Sequence, residues 1–309
     1  WGRTNLSEDD VVLITGLEHH ANIVPWHQLA AERGVEVRWI PLTDDGRLDL
    51  HDLDSLLEGV RLVALSSASN VLGTLTPVRE LADAAHAVGA LCLVDASQSV
   101  PHLPTNVTEW DCDFVAFTGH KMCGPTGIGV LWGRSELLEA MPPFMGGGEM
   151  ILDVTMEGFT PNELPWKFEA GTPPIAQIIG LGAAVDYLDS IGMDSVRAHE
   201  MALTDYALRT LADRHGDDLL VHGPSVVADR GGVLSMCYRD IHPHDLSQVL
   251  DQRGVCVRAG HHCAKPLMRL LGVGATARAS LYIYNDESDI DALSEALTEA
   301  GDFFAHQPA

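Results

Sequence analysis

The segment that decides how this chain folds is F-T-G-H-K-M-C-G-P-T-G-I-G-V-L, at residues 117–131. A short apolar run ends in small polar residues and Lys121, and a glycine-rich turn leads into a second apolar run. Lys121 is one of only three lysines in the chain, and a buried strand is predicted to end beside it. A buried amine is costly unless it has a partner or a chemical task. Lys121 therefore either reaches solvent along its aliphatic stem or takes part in chemistry.

The residues on either side of this segment alternate between apolar strands and helical patterns. The alternation predicts an α/β fold with a mostly parallel sheet. Strands are expected at residues 11–15, 35–40, 60–66, 90–94, 114–117 and 128–132, and helices at 25–33, 52–57 and 78–88. Polar clusters follow four of these strands, at the edge of the sheet where open α/β folds bind ligands. The clusters are residues 18–22, 69–70, 95–98 and 118–121.

The second half of the chain has a different pattern of elements. Helices are predicted at residues 175–191, 196–215, 243–253 and 287–304, and strands at 219–222, 232–238 and 255–258. A change near Ile191 and Gly192 divides the chain into a large domain, residues 1–191, and a small domain, residues 192–309. The mixture of elements after this point predicts that the small domain is of the α+β class.

The charge of the chain limits its partners. It carries 44 acidic and 19 basic residues, and its net charge is −25. Nucleic acids and anionic membranes both require a basic face, so neither is expected as a partner. No apolar run is long enough to cross a membrane, and no secretory signal is expected. The acidic, lysine-poor composition suits either a highly saline cytoplasm or a genome of high GC content.

The six cysteines are scattered along the chain and form no C-x-x-C pair. In a chain of this length they indicate free thiols in a reducing, cytoplasmic setting. Cys263 differs because it lies in R-A-G-H-H-C-A, at residues 258–264. Three adjacent residues cannot all point at one ion, so no metal site is predicted there. A cysteine beside two histidines and an arginine has surroundings that favour a thiolate, so Cys263 is the predicted nucleophile.

Asp95 ends another predicted strand, and Gln98 follows three residues later. An aspartate at this position is often the N-cap of a helix. It can also keep a pyridinium nitrogen protonated, so that a pyridoxal ring acts as an electron sink. Lys121 would then be the Schiff-base lysine, with Thr118 and His120 holding the phosphate. The position of Asp95 and Lys121 on the ligand edge of the sheet favours this second interpretation.

With these motifs assembled, the chain resembles the SufS-type (group II) cysteine desulfurases over essentially its whole length. Eight motifs carry the resemblance: E-H-H-A-N-I-V-P-W, N-V-L-G-T, V-D-A-S-Q-S-V-P-H, T-G-H-K-M-C-G-P-T-G-I-G-V-L, G-G-G-E-M-I, A-G-T-P, R-A-G-H-H-C-A-K-P-L and A-R-A-S-L-Y-I-Y-N. It implies the PLP-dependent transferase fold of the aspartate aminotransferase-like type I, found in the class V aminotransferases. Residues 1–191 would be the PLP-binding domain, and residues 192–309 would carry the catalytic cysteine loop.

The resemblance also implies a role for each matched residue. Pyridoxal 5'-phosphate would be bound by Lys121, Asp95, Gln98, Thr118, His120, His19 and Thr172. Lys121, His19 and Cys263 would be catalytic, and Asn70 and Arg278 would hold the carboxylate of the substrate. The implied reaction converts L-cysteine to L-alanine, leaves a persulfide on Cys263 and supplies sulfur for iron–sulfur cluster assembly.

The same resemblance predicts partners. A homodimer is expected, in which Gly171 and Thr172 reach the site of the other subunit, together with a SufU- or SufE-type sulfur acceptor. His244 matches a position that joins the zinc of a SufU-type acceptor, although it could equally be an ordinary histidine at a helix start. Family members begin well before Trp1, so the large domain is expected to be N-terminally incomplete. A selenocysteine lyase and a truncated, non-catalytic partner in iron–sulfur assembly are the alternative functions.

Overall fold

The computed structural model describes residues 1–305, and its largest sheet has six strands in the order β2-β1-β3-β4-β5-β6. The first five strands run parallel, and β6 is an antiparallel edge strand beside β5. The strands are β1 Val11–Thr15, β2 Glu36–Ile40, β3 Val60–Ser66, β4 Leu91–Asp95, β5 Phe114–Thr118 and β6 Gly129–Gly133.

Helices cover this sheet, and its central strands are buried on both faces. All five residues of β1 are buried, as expected for a parallel strand between two layers. The helices of this part are α1 Gly2–Asn5, α2 Val24–Arg33, α3 Leu53–Leu56, α4 Val78–Ala87, α5 Val107–Trp110 and α6 Ser135–Ala140. Leu81 and Ala85 of α4 pack with Leu13 and Val63 on one face, whereas Leu29 of α2 packs on the other.

A second sheet has four antiparallel strands in the order β11-β12-β10-β9. These strands are β9 Leu219–His222, β10 Val233–Tyr238, β11 Arg258–Gly260 and β12 Thr276–Ser280. A separate apolar core lies between this sheet and its helices, with Leu211, Met236 and Leu297 fully buried in it. The remaining helices are α7 Ile175–Ile191, α8 Met193–His215, α9 Pro243–Gln252, α10 Lys265–Leu270 and α11 Glu287–Ala305.

The observed strands correct the prediction in three places, and the short helices α1, α5 and α6 were not predicted. The strand expected at residues 255–258 is instead β11, Arg258–Gly260, because only these residues pair with β12. The sequence pattern did not predict β12, nor the hairpin of β7 (Ile151–Val154) and β8 (Phe159–Pro161). The predicted domain boundary near Ile191 coincides with the end of α7 and stays a prediction. Within residues 1–305, no helix is both long and apolar enough to cross a membrane.

Candidate active site

The carboxyl ends of β1, β3, β4 and β5 meet along one edge of the large sheet, and each predicted polar cluster follows one of them. Glu18 ties the first two ends together. It accepts hydrogen bonds from Thr15 Oγ1 and Asn22 Nδ2, both at 2.6 Å. It also accepts from the N–H and Oγ of Ser66, at 2.8 and 2.7 Å. Burial raises the pKa of this carboxyl to about 7, although all four bonds favour the carboxylate.

His19 follows Glu18 directly and lies within electrostatic reach of Lys121 and Asp95. Burial lowers the pKa of the Lys121 amine, while the Asp95 carboxylate acts in the opposite direction. Burial likewise lowers the pKa of His19, assisted by the charge of Lys121. Both groups are thereby shifted toward their neutral, proton-accepting forms. The structure thus brings these three predicted site residues near one another.

A cavity of about 330 Å³ opens beside Lys121. Gln98, His120 and Arg278, which were predicted for the site, all line it. Thr118 ends β5 just before the turn that carries Lys121, and its buried Oγ1 finds no hydrogen-bond partner among the described residues. A buried hydroxyl without a partner is costly, so this position suits a polar ligand.

Cys263 lies on the loop between β11 and α10, where Arg258 Nη2 donates to its Sγ at 3.7 Å. A guanidinium beside the sulfur is a partner that stabilises a thiolate. The φ angles of His262 and Cys263 are 51° and 57°, in the left-handed region. Neither residue is glycine, and this conformation costs on the order of 1–2 kcal/mol for each of them. Surrounding contacts must therefore hold the loop.

Asn70 joins this loop to the large sheet. Its side-chain Nδ2 donates to the backbone carbonyl of His262 at 2.7 Å, and its backbone carbonyl accepts from Arg278 Nη1 at 2.8 Å. The ring of His262 is buried, and its Nε2 is 2.8 Å from Thr276 Oγ1. Burial lowers the pKa of His262 to about 4, so this ring is neutral. The two residues predicted to hold a substrate carboxylate, Asn70 and Arg278, thus touch each other beside the Cys263 loop.

Two predicted site residues lie elsewhere. Thr172 lines a separate surface pocket together with Gly171 and Trp166 rather than the cavity beside Lys121. His244 is exposed in the first turn of α9, where its ring stacks on His242 with centroids 5.4 Å apart. Within residues 1–305, no three histidine, cysteine, aspartate or glutamate side chains cluster in an arrangement suited to a metal ion.

Sequence reasoning missed several groups near the cavity. Cys123 lines it and is exposed, and its Sγ is 3.8 Å from the hydroxyl of Tyr282. His102 also lines it, with Nδ1 2.7 Å from Glu200 Oε1, a carboxylate with no exposed surface. Cys123 follows Lys121 by two residues, so its position in the sequence could have predicted that it lies near the site. Glu200 lies 98 residues from His102, and no local pattern indicates that pair.

Comparison with known proteins gives the family of this chain. The model of the class-V aminotransferases matches residues 1–293. The chain belongs to the class-V aminotransferase family. A probable cysteine desulfurase of Streptomyces coelicolor is 54% identical over 95% of this chain and 70% of its own length. The cysteine desulfurase of Haloferax volcanii is 50% identical over 99% of this chain and 71% of its own.

The structure of this family member also has close counterparts. The crystal structure of the cysteine desulfurase CsdA from Escherichia coli superposes with a TM-score of 0.93 at 38% identity. The match covers 98% of this chain and 75% of the CsdA chain. The predicted aspartate aminotransferase-like fold, with its mostly parallel sheet, is therefore confirmed.

Proposed function

We propose that this chain is a pyridoxal phosphate-dependent cysteine desulfurase that forms a persulfide on Cys263 and releases L-alanine. One observation carries the proposal: Lys121 lies within electrostatic reach of Asp95 and of Cys263, whose sulfur is paired with Arg258. An amine and a carboxylate at one sheet edge, with a paired thiol on a loop near them, suit this chemistry. The relatives named cysteine desulfurase, at 50–54% identity, support it.

The residues at this edge fit pyridoxal phosphate. The partnerless hydroxyl of Thr118 and the neighbouring His120 suit its phosphate, and Asp95 suits its ring nitrogen. Lys121 suits its aldehyde because burial favours the neutral amine. We assign Gln98 and His19 to the ring as well. When bound, the cofactor stabilises negative charge on the substrate's α-carbon.

The remaining residues of the site would bind the substrate and move its protons. The Arg278 guanidinium and the Asn70 amide are the groups that we assign to the carboxylate of L-cysteine. Lys121 Nζ takes the α-proton, because its lowered pKa leaves a lone pair available. The ring of His19 is also shifted toward its neutral form and serves as a second proton carrier.

Sulfur transfer is assigned to Cys263. Its thiolate attacks the sulfur of the substrate, and a new S–S bond forms as the C–S bond of the substrate breaks. The electron pair of the broken bond stays on the substrate carbon, which takes up a proton to give alanine. The net change converts cysteine and the Cys263 thiol into alanine and the Cys263 persulfide. Arg258 would stabilise the sulfur before the attack.

Substitution of a single cysteine tests this assignment, because two thiols, those of Cys263 and Cys123, lie near Lys121. We expect Cys263→Ala to lower alanine formation from L-cysteine by about 100-fold or more, whereas Cys123→Ala keeps it. Mass spectrometry should find the persulfide on the peptide that contains Cys263. Equal losses in the two variants, or turnover by Cys263→Ala, would contradict the assignment. Selenocysteine turnover that far exceeds cysteine turnover would instead indicate a selenocysteine lyase, and no turnover at all a non-catalytic partner.

We further propose a SufS-type role, in which the persulfide sulfur passes to a SufU- or SufE-type acceptor for iron–sulfur cluster assembly. The exposed position of His244 supports contact with a zinc-bearing acceptor. We expect His244→Ala to abolish stimulation by a SufU-type acceptor while turnover without an acceptor stays constant. If the acceptor stimulates the His244→Ala variant as much as the wild type, His244 does not have this role. The six free thiols are typical of a reducing cytoplasm, where we place the reaction.

A homodimer completes the proposal. Thr172 lies outside the cavity of its own chain, beside the exposed apolar side chains of Trp166 and Ile178. Exposed apolar patches of this kind mark association surfaces. Light scattering should therefore give twice the mass of the chain. If the protein is monomeric and Thr172→Ala leaves cofactor affinity unchanged, both the dimer and the role of Thr172 are wrong.

A further inference from the structure

His20 makes two contacts with the loop that carries the reactive sulfur, one at Cys263 itself and one two residues after it. Its backbone N–H donates to the carbonyl of Cys263 at 2.8 Å. Its ring Nε2 accepts from the backbone N–H of Lys265 at 2.9 Å, across 245 residues of sequence. His20 thus binds the chain at Cys263 and again two residues later. The first contact is made to Cys263 itself, whose backbone has the left-handed conformation.

The second contact defines the charge state of the His20 ring. A backbone N–H can only donate, so Nε2 must carry a lone pair and the ring proton must lie on Nδ1. Partial burial lowers the pKa of His20, and the neighbouring His261 and Lys265 act in the same direction. The His261 ring centroid is 5.7 Å away and that of His19 is 6.3 Å away. The surroundings therefore favour the neutral ring that the contact requires.

We propose that His20 is a positioning residue that holds the Cys263 loop in the conformation that presents the thiol. The inference rests on the function proposed for Cys263, although His20 touches no reacting atom itself. The left-handed angles at His262 and Cys263 persist only where contacts over-determine them. Of these contacts, the bond between His20 Nε2 and Lys265 is made by a side chain and can be removed by substitution. His20 also follows His19, so one turn links the proposed proton carrier to the sulfur loop.

A pair of conservative variants tests the contact. In His20→Gln, Oε1 takes a place close to that of Nε2 and can accept from Lys265 N–H. In His20→Asn, the acceptor is one bond shorter and cannot reach. Hydrogen–deuterium exchange of peptides covering residues 261–265 should be about 5- to 30-fold faster in His20→Asn and close to wild type in His20→Gln. The exposed His51, changed to Asn, serves as the matched control.

A merely structural effect would accelerate exchange in β10 and β12 as well, so those peptides must stay unchanged. With cofactor and L-cysteine, His20→Asn should lower kcat at an unchanged KM, and His20→Gln should restore it. The inference is wrong if residues 261–265 exchange hydrogen at the same rate in all variants. It is also wrong if His20→Gln and His20→Asn give the same exchange rates and the same kcat. If the wild-type chain makes no alanine, the proposed function fails, while the exchange experiment still decides the role of His20.

Discussion

The side-chain amide of Asn70 donates a 2.7 Å hydrogen bond to the carbonyl of His262, although 192 residues separate the two in sequence. Asn70 follows β3 of the large sheet, and His262 immediately precedes Cys263. The carbonyl of Asn70 in turn accepts from Arg278. The groups proposed to hold the substrate carboxylate and the loop that carries the thiol therefore form one hydrogen-bonded unit.

Replacing Asn70 should consequently affect sulfur transfer as well as binding. Asn70→Ala leaves the buried carbonyl of His262 without this donor, which costs about 1–3 kcal/mol. We expect kcat for alanine formation to fall by about tenfold and KM for L-cysteine to rise. Steady-state kinetics measure both constants. A rise in KM with an unchanged kcat would show that the bond to His262 does not position Cys263.

The buried amine of Lys121 should be required for turnover. We expect Lys121→Ala to lower kcat by about 100-fold or more, because the variant lacks the group that accepts the α-proton. The visible absorbance of the bound cofactor should change at the same time. Lys265→Ala is the matched control, since that side chain is exposed. Full activity of the Lys121 variant would rule out the assigned role.

The carboxyl of Glu18 should make stability depend on pH. Its folded pKa, about 7, exceeds its ordinary value of 4.5. The folded chain therefore keeps a proton that the unfolded chain releases, so stability decreases as pH rises from 4.5 to 7, by about 3 kcal/mol. Glu18→Gln cannot titrate and should lack this part of the slope. Urea unfolding at several pH values measures the difference.

The matched control for Glu18 is Glu295→Gln, because Glu295 is exposed on α11. It should keep the wild-type slope between pH 4.5 and 7. If the free energy of unfolding depends on pH in the same way for wild type and Glu18→Gln, the pKa of Glu18 is not raised. Above pH 7, where the wild-type group is ionised, Glu18→Gln should also be less stable, since its amide cannot accept all four hydrogen bonds that the carboxylate accepts.

The buried guanidinium of Arg230 should stabilise the small sheet. Arg230 is 1% exposed and donates to the carbonyls of Pro224, His222 and Val233. Its burial lowers its pKa to about 10. We expect Arg230→Met to decrease the free energy of unfolding by about 3 kcal/mol, because three carbonyls lose a donor. Thermal unfolding, with the exposed Arg269→Met as control, measures this loss, and equal melting temperatures would contradict it.

Much of the large sheet could be predicted from the chain alone. Parallel strands are buried on both faces, so they appear as short apolar runs, and the polar residues after each run mark the ligand edge. This local logic located the polar clusters that contain His19, Asn70, Asp95 and Lys121. It did not predict β12, whose residues combine small and polar side chains without an apolar run. It also placed a strand at residues 255–258, whereas hydrogen bonding to β12 places that strand at Arg258–Gly260.

The sequence by itself determined the alternation of strands and helices and the ligand edge, and it predicted which groups are reactive, because these features depend on residue type and short-range spacing. Only the tertiary structure decided which distant groups meet. The contact of Asn70 with His262 and that of His20 with Lys265 each join the two sheets' loops across about 200 residues or more. The left-handed backbone of Cys263 likewise has no local signal, since no glycine occupies that position and long-range hydrogen bonds hold it there.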